Sequence, residues 1–199
     1  MNPIFLIVGP PAVGKSTTSR ALAACFPLSL HIPVDDFRNM VVSGIVLPGL
    51  VWSAELTRQI SLARKCVVQM ASSYHEAGFA VVIDDFWDAN HNSDYLALIS
   101  YPYFHRVVLF PDQAVAHQRN LHRSGDSPGR DYIDEGIRSV YQQLNPIVSQ
   151  LAQEGWIVVD TTKLDFQATV TTILKRSNYQ EYSIKNQVEE CSRSHLTIS

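Results

Sequence analysis

Five short apolar runs, separated by segments of helical character, constrain this chain more than any other feature. They are Ile4–Val8, Leu28–Val34, Phe79–Ile83, Phe104–Phe110 and Trp156–Val159. A continuous apolar run of strand length, without polar alternation, is buried on both faces. Strands of that kind, alternating with helices, pack as a parallel sheet covered on each side. The expected fold class is α/β: a five-stranded parallel sheet flanked by helices in three layers.

The helical segments fit between the strands. Lys15–Cys25 reads as a helix that Pro27 ends. Ser53–Ala77 carries Leu56, Ile60, Ala63, Val67, Met70, Tyr74 and Ala77 at alternating steps of four and three, which places them on one face. Ser53 suits its N-cap and Gly78 its C-terminal exit. Ser93–Ser100 reads as a short helix, and another runs from Pro111 to about Ser124 and Gly125. Asp134–Glu154 sets Ile137, Val140, Leu144, Ile147 and Leu151 on one side, with a kink expected at Pro146. Asp165–Arg176 closes the series. Residues 1–176 are expected to form one domain, and 177–199, polar and aperiodic, a frayed tail.

Composition excludes some classes of function. The net charge of the 199 residues is −3, with no basic stripe, which argues against a nucleic-acid partner. No apolar run exceeds strand length, so no membrane span is expected. Cys25, Cys66 and Cys191 are odd in number and lack metal-ligand spacing, which suits a reducing, cytoplasmic compartment.

The first strand stops on a glycine and opens into a loop. Gly9-Pro10-Pro11-Ala12-Val13-Gly14-Lys15-Ser16 fits G-x-x-x-x-G-K-[ST]. Backbone N–H groups that converge on phosphate oxygens need a tight path, which side chains at Gly9 and Gly14 would obstruct. The helix beginning at Lys15 aims its positive dipole end at the same anion. Lys15 can reach the β- and γ-phosphates of ATP, Ser16 can ligate Mg²⁺, and Thr17 can add a hydrogen bond.

Two later strands end on paired acids: Asp35 and Asp36 in "PVDDFR", Asp84 and Asp85 in "VIDDFW". Ligands of open parallel sheets bind beyond the carboxyl ends of the strands. "VVIDD" resembles a Walker B strand, with Asp84 expected to hold Mg²⁺. Asp35 or Asp36 can deprotonate an acceptor hydroxyl. "HQRNLHRSGDSPGR" places Arg119 and Arg123 on one helix face, where they can stabilise charge during phosphoryl transfer. Arg130 follows, and His117 and His122 read as surface residues. Arg38 can neutralise Asp35 or Asp36, or meet substrate together with Asp85 and Trp87.

In this order, the loop, the acidic strand ends and the arginine segment resemble a small P-loop kinase of the nucleoside-monophosphate-kinase-like group. The likeness is greatest to the chloramphenicol phosphotransferase-like branch, with zeta-toxin-type kinases as neighbours. "VDDFRNMV" is similar to the branch segment whose acid is the base, which maps onto Asp35; the second acid, Asp36, departs from the pattern. "RNLHRSGDSPG" looks like its LID, about residues 119–131, and places Arg119 and Arg123 over the phosphates. "VVDTTKL" matches the segment near the adenine. The resemblance implies the three-layer P-loop NTPase fold with sheet order 2-3-1-4-5. It also implies transfer of the γ-phosphate to a hydroxyl of a small molecule such as an antibiotic, a sugar or a nucleoside. The acceptor is expected under residues 37–52 and against Phe86, Trp87 and Tyr95. A nucleotide-sugar kinase of the zeta-toxin type and a non-catalytic ATP-binding switch are the alternatives. No N-K-x-D motif points to a GTPase. The apolar stretch Val41–Trp52 is read as a substrate lid or as the contact of a homodimer.

Overall fold

Alternate residues of the first strand feed two separate cores. Phe5 and Ile7 enter one, and Ile4, Leu6 and Val8 enter the other, so all five are buried. That is the physical content of an unbroken apolar strand: period-two geometry sends successive side chains to opposite faces, and here both faces are dry.

The computed structural model describes residues 2–48, 52–88, 91–127 and 129–182. Along the chain run β1 (Ile4–Val8), α1 (Lys15–Ala23), β2 (Ser29–Pro33), α2 (Val34–Arg38), α3 (Ala54–Glu76), β3 (Ala80–Asp84), α4 (His91–Asp94), β4 (Phe104–Leu109), α5 (Gln113–Ser124), α6 (Gly129–Leu144), α7 (Val148–Gln153), β5 (Ile157–Val159) and α8 (Phe166–Arg176). The sheet order is β2-β3-β1-β4-β5 and every pairing is parallel. Leu22 of α1 and Val170, Ile173 and Leu174 of α8 close the core on the Phe5 side. Val67 and Ala71 of α3 close the opposite core. α6 serves both, with Ile137 and Tyr141 in the first and Val140 and Leu144 in the second.

β1 lies between β3 and β4, and Ile7 pairs with Asp84. The loop after β1 and the acids that end β3 therefore sit side by side at the carboxyl edge of the sheet, where a parallel α/β fold binds its ligands.

The structure corrects four expectations. Pro146 splits the long helical run into α6 and α7 instead of kinking it, because it can neither donate a hydrogen bond nor continue the helix. "VDDFR" is not a strand end: it forms α2, whose first turn holds Asp35 and Asp36 and whose last residue is Arg38, the arrangement a helix dipole favours. The buried face of α3 passes through Arg64 and Ala71, while Tyr74 is exposed and packs edge-on against Phe79. The chain stays ordered past 176. Tyr179 is buried with ring centroids 6.2 Å from Phe5 and 5.9 Å from Phe26, and Tyr182 lies 4.8 Å from Phe26. The rest of the expected tail, 183–199, lies outside the described residues. Among the described residues no helix is long and apolar enough to cross a membrane.

Candidate functional site

The loop between β1 and α1 is shaped by its glycines. A Cβ on Gly9 would stand 2.4 Å from the carbonyl oxygen of Leu109 on β4, so only glycine lets β1 turn so close to its neighbour. Gly14 (φ +92°) is the N-cap of α1 and turns the chain in the left-handed region; no side chain caps the helix. The amides of that first turn are thus left for an anion. Ala12 also adopts a left-handed φ of 61°, a local strain typical of ligand-binding loops. α6 passes close by, and a Cβ on Gly136 would come 3.3 Å from Pro11.

Lys15 folds its ammonium back over the loop and donates to the carbonyls of Gly9 (3.2 Å) and Pro10 (3.0 Å). Burial lowers its proton affinity below the ordinary lysine value. Asp84, Asp35 and Asp85 pull it back up, and Arg123 lowers it further. The strand register and the contacts bring the same elements to the loop: Asp84 closes β3 opposite Ile7, Pro33 pairs with Asp84 so that α2 begins there, and Arg119 of α5 reaches the Val13 carbonyl. Ser16 and Thr17 are exposed on the first turn of α1, while Thr18 and Ser19 are buried.

Asp84 is buried at the end of β3, with His31 of β2 3.7 Å away. Asp85 points the other way and is fully buried. It accepts hydrogen bonds from Arg64 Nε (2.6 Å), the Tyr95 hydroxyl (2.9 Å) and the Phe86 N–H (2.8 Å). Burial pushes its carboxyl up, and the charge and hydrogen bond of Arg64 pull it back. Arg64 is itself fully buried and also meets Asp88 (2.6 Å) and Asp94 (3.1 Å). Burial opposes its charge, but Asp85 and Asp88 outweigh burial and hold the guanidinium firmly protonated. Asp85 is therefore a structural acid, not the substrate contact expected for it. Sequence reading missed Arg64, although one signal existed: an arginine beside Ala63 on the apolar face of α3, with a run of acids after β3 to receive it.

Asp35 and Asp36 are exposed on α2. Arg38, expected either to neutralise Asp35 or Asp36 or to meet substrate, is buried and lies beside Asp35. Its Nη2 donates to the Val46 carbonyl (3.1 Å), its Nη1 lies 3.6 Å from Asp35, and its guanidinium covers the ring of Phe86. Trp87 is also corrected: it is buried in the core, 5.8 Å edge-on to Trp156, and Tyr95 is buried against Asp85. Of the expected aromatics only Phe86 is partly exposed, between Arg38 and Arg64.

On α5 the two arginines part ways. Arg119 donates to Thr161 O (2.7 Å) and lies 3.4 Å from Val13 O, which ties α5 to the loop and to the segment after β5. Arg119 therefore sits against the Gly9–Ser16 loop itself. Arg123, one turn later, is exposed and close enough for its charge to act on Lys15. His117 is not an isolated surface residue: its Nδ1 is 2.7 Å from Asp134 of α6, and Asn120 donates to the same carboxylate oxygen (3.0 Å). These bonds hold Asp134 below the usual carboxylate range and lock α5 to α6.

The fold agrees with that of solved structures. The structure is similar to that of the tunicamycin resistance protein of Deinococcus radiodurans, with a TM-score of 0.61 and 20% identity over 88% of this chain and 95% of that one. It is similar to shikimate kinase from Acinetobacter baumannii, solved with shikimate, at a TM-score of 0.60 and 16% identity over 88% and 92% of the two chains. A gluconokinase from Sinorhizobium meliloti 1021 aligns at a TM-score of 0.58 and 15% identity over 88% and 91%. Curated protein sequences gave no significant match. The AAA domain family model matches residues 4–135, more than half of the chain. With the glycine-shaped loop on β1, the acid of β3 beside it and the β2-β3-β1-β4-β5 sheet, the chain belongs to this AAA_33 family of P-loop kinases.

Proposed function

We propose that the protein is an ATP- and Mg²⁺-dependent kinase that transfers the γ-phosphoryl group to a hydroxyl of a small molecule, in the cytoplasm. One observation carries the reading: the end of β3 with Asp84, the start of α2 with Asp35 and the α5 arginine that reaches the Val13 carbonyl surround the uncapped, glycine-turned helix N-terminus that bears Lys15. The names of the neighbours, a shikimate kinase and a gluconokinase, support a small hydroxylated acceptor.

The residues fit the groups this chemistry needs. The loop N–H groups from Ala12 to Thr17 would cradle the phosphates, along the path set by Gly9, Pro10 and Pro11. Ser16 and Asp84 offer the hydroxyl and the carboxylate that a phosphate-bound Mg²⁺ takes from protein. A larger protein cage is not required, and among the described residues no cluster of three or more acids, histidines or cysteines could hold a metal. When bound, the metal neutralises charge on the transferred group. Lys15 leaves the Gly9 and Pro10 carbonyls to reach the β- and γ-oxygens. Asp35 orients the acceptor hydroxyl and takes its proton as the oxygen forms a bond to Pγ. The Pγ–O bond to the β-phosphate breaks, and ADP departs with the electron pair. We assign the base role to Asp35, the acid that the resemblance maps onto the base and that Arg38 approaches at 3.6 Å. Arg123 meets charge on the phosphoryl oxygens, and Arg119 acts at one remove by fixing α5.

Calorimetry with Mg–ATP and a γ-phosphate transfer assay test the scheme. Lys15→Ala should weaken Mg–ATP binding about ten- to a hundredfold, the worth of charged hydrogen bonds of roughly 1.5–3 kcal/mol. Asp35→Ala should leave that affinity nearly intact and abolish transfer. Failure of the unaltered protein to bind Mg–ATP would reject the reading, and loss of ATP binding in Asp35→Ala would reject the base.

A further inference from the structure

β2 places a histidine on the same face of the sheet as Asp84. His31 pairs with Val82 in the parallel register, and side chains of β3 return to one face every second residue, so His31, Val82 and Asp84 rise together. The rest of that face is apolar: Phe5, Ile7, Ala80 and Val82 lie in one core, which α1 closes with Leu22 and Ala23. The His31 side chain is only 13% exposed. Its Nε2 is buried and has no hydrogen-bond partner among the described residues. The Asp84 carboxylate stands 3.7 Å from that nitrogen.

A buried polar atom without a partner requires an explanation. Packing does not ask for a histidine on a face that is otherwise apolar. His105 lies in the same row of the sheet, opposite Phe5, and ring contacts hold it: it stacks on Phe5 at 5.1 Å and meets Tyr179 edge-on at 5.7 Å. What His31 has within reach is a carboxylate. Hydrogen bonds from N–H groups to carboxylates run about 2.7–2.9 Å, so a movement of about 1 Å joins the pair. Active-site hydrogen bonds are often long before the ligand binds and tighten in the complex. Carboxylates that ligate a metal are themselves held by hydrogen bonds, which fix the oxygen that faces the ion.

Resting on the kinase reading above, we propose that His31 is a positioning residue: its Nε2–H takes one oxygen of Asp84 and turns the other toward the magnesium of bound Mg–ATP. The role needs a donor and not a charge, so a neutral imidazole serves. His31 acts through Asp84, and its effect is confined to the part of nucleotide affinity that the metal contributes.

Calorimetry of the full chain with a non-hydrolysable ATP analogue, once with excess Mg²⁺ and once with EDTA, separates this role from a structural one. His31→Leu should weaken binding of the Mg²⁺ complex about tenfold and leave the metal-free affinity nearly unchanged, since loss of a partner to a metal ligand costs about 10–100-fold in metal affinity. His31→Gln, whose amide nitrogen falls where the imidazole Nε2 does, should restore most of the loss; His31→Asn, one methylene shorter, should not. Electron paramagnetic resonance with Mn²⁺ as the probe should rank the variants in the same order. Equal losses with and without metal, an unchanged His31→Leu, or a Gln variant as weak as the Leu variant would each overturn the proposal. Should His31→Leu not fold, ¹⁵N-histidine spectra of the parent decide. The His31 Nε2 resonance, identified by its loss in His31→Gln, should move when Mg²⁺ joins the nucleotide complex, and a resonance that stays in place overturns the proposal. Analogue binding that Mg²⁺ does not strengthen in the parent would remove the metal role of Asp84, and this inference with it. Metal-strengthened binding that is indifferent to His31 removes this inference alone and leaves the kinase reading standing.

Discussion

Replacing Arg64 with methionine removes the cation that Asp85, Asp88 and Asp94 share and keeps much of the side-chain volume. Removing one partner of a buried ion pair costs about 3–5 kcal/mol, because the remaining charge has lost its compensation. A chain of this size loses about 2–4 °C of Tm per kcal/mol, so the variant should melt roughly 6–20 °C lower at neutral pH. The deficit should depend on pH with a defined sign. Asp85 already has a carboxyl pushed up by burial, with Arg64 pulling it back. Without Arg64 its folded-state proton affinity rises further above that of the unfolded chain. A group of that kind favours folding below its unfolded pKa and loses the contribution as pH rises through the folded value. The variant should therefore approach the parent near pH 4–5 and fall away toward pH 8. Thermal unfolding of both proteins across that range, followed by circular dichroism, provides the measurement. Adding Asp85→Asn to Arg64→Met should recover part of the loss at pH 8 and flatten its pH dependence. A Tm change below about 2 °C, or a deficit equal at both ends of the range, would show that the acids do not depend on Arg64.

Two further outcomes follow from the packing. Gly9→Ala should fail to fold, or lose nucleotide binding together with several degrees of Tm, because its Cβ meets the Leu109 main-chain oxygen, which cannot step aside without parting β1 from β4; full stability and binding in this variant would contradict the close approach. Tyr179→Ala should destabilise the protein by about 3–5 kcal/mol, the range for truncating a buried aromatic side chain, here one packed edge-on against Phe5, Phe26 and His105; denaturant midpoints would reveal it, and no change would mean that residues beyond 176 do not belong to the folded unit.

The sequence by itself determined the sheet and the phosphate loop. Both are local signals: an apolar run buried on two faces needs no distant partner to be recognised, and the spacing of Gly9, Gly14, Lys15 and Ser16 encodes its own backbone path. The expected order of strands came from resemblance, and the observed pairings agree with it. What the tertiary structure decided was which charged side chains face a ligand. "DDFW" reads as two acids at a strand end, yet the fold sets Asp84 beside His31 and buries Asp85 against Arg64. Arg38 and Trp87 looked available because a sequence carries no record of the Val46 carbonyl or of Trp156 coming to meet them. Arg119 and Arg123 share a helix face, but only the fold brings the segment after β5 against the first and leaves the second exposed. A side chain's type is written in the chain; whether its charge is already paired depends on residues far away in sequence, and only folding brings those together.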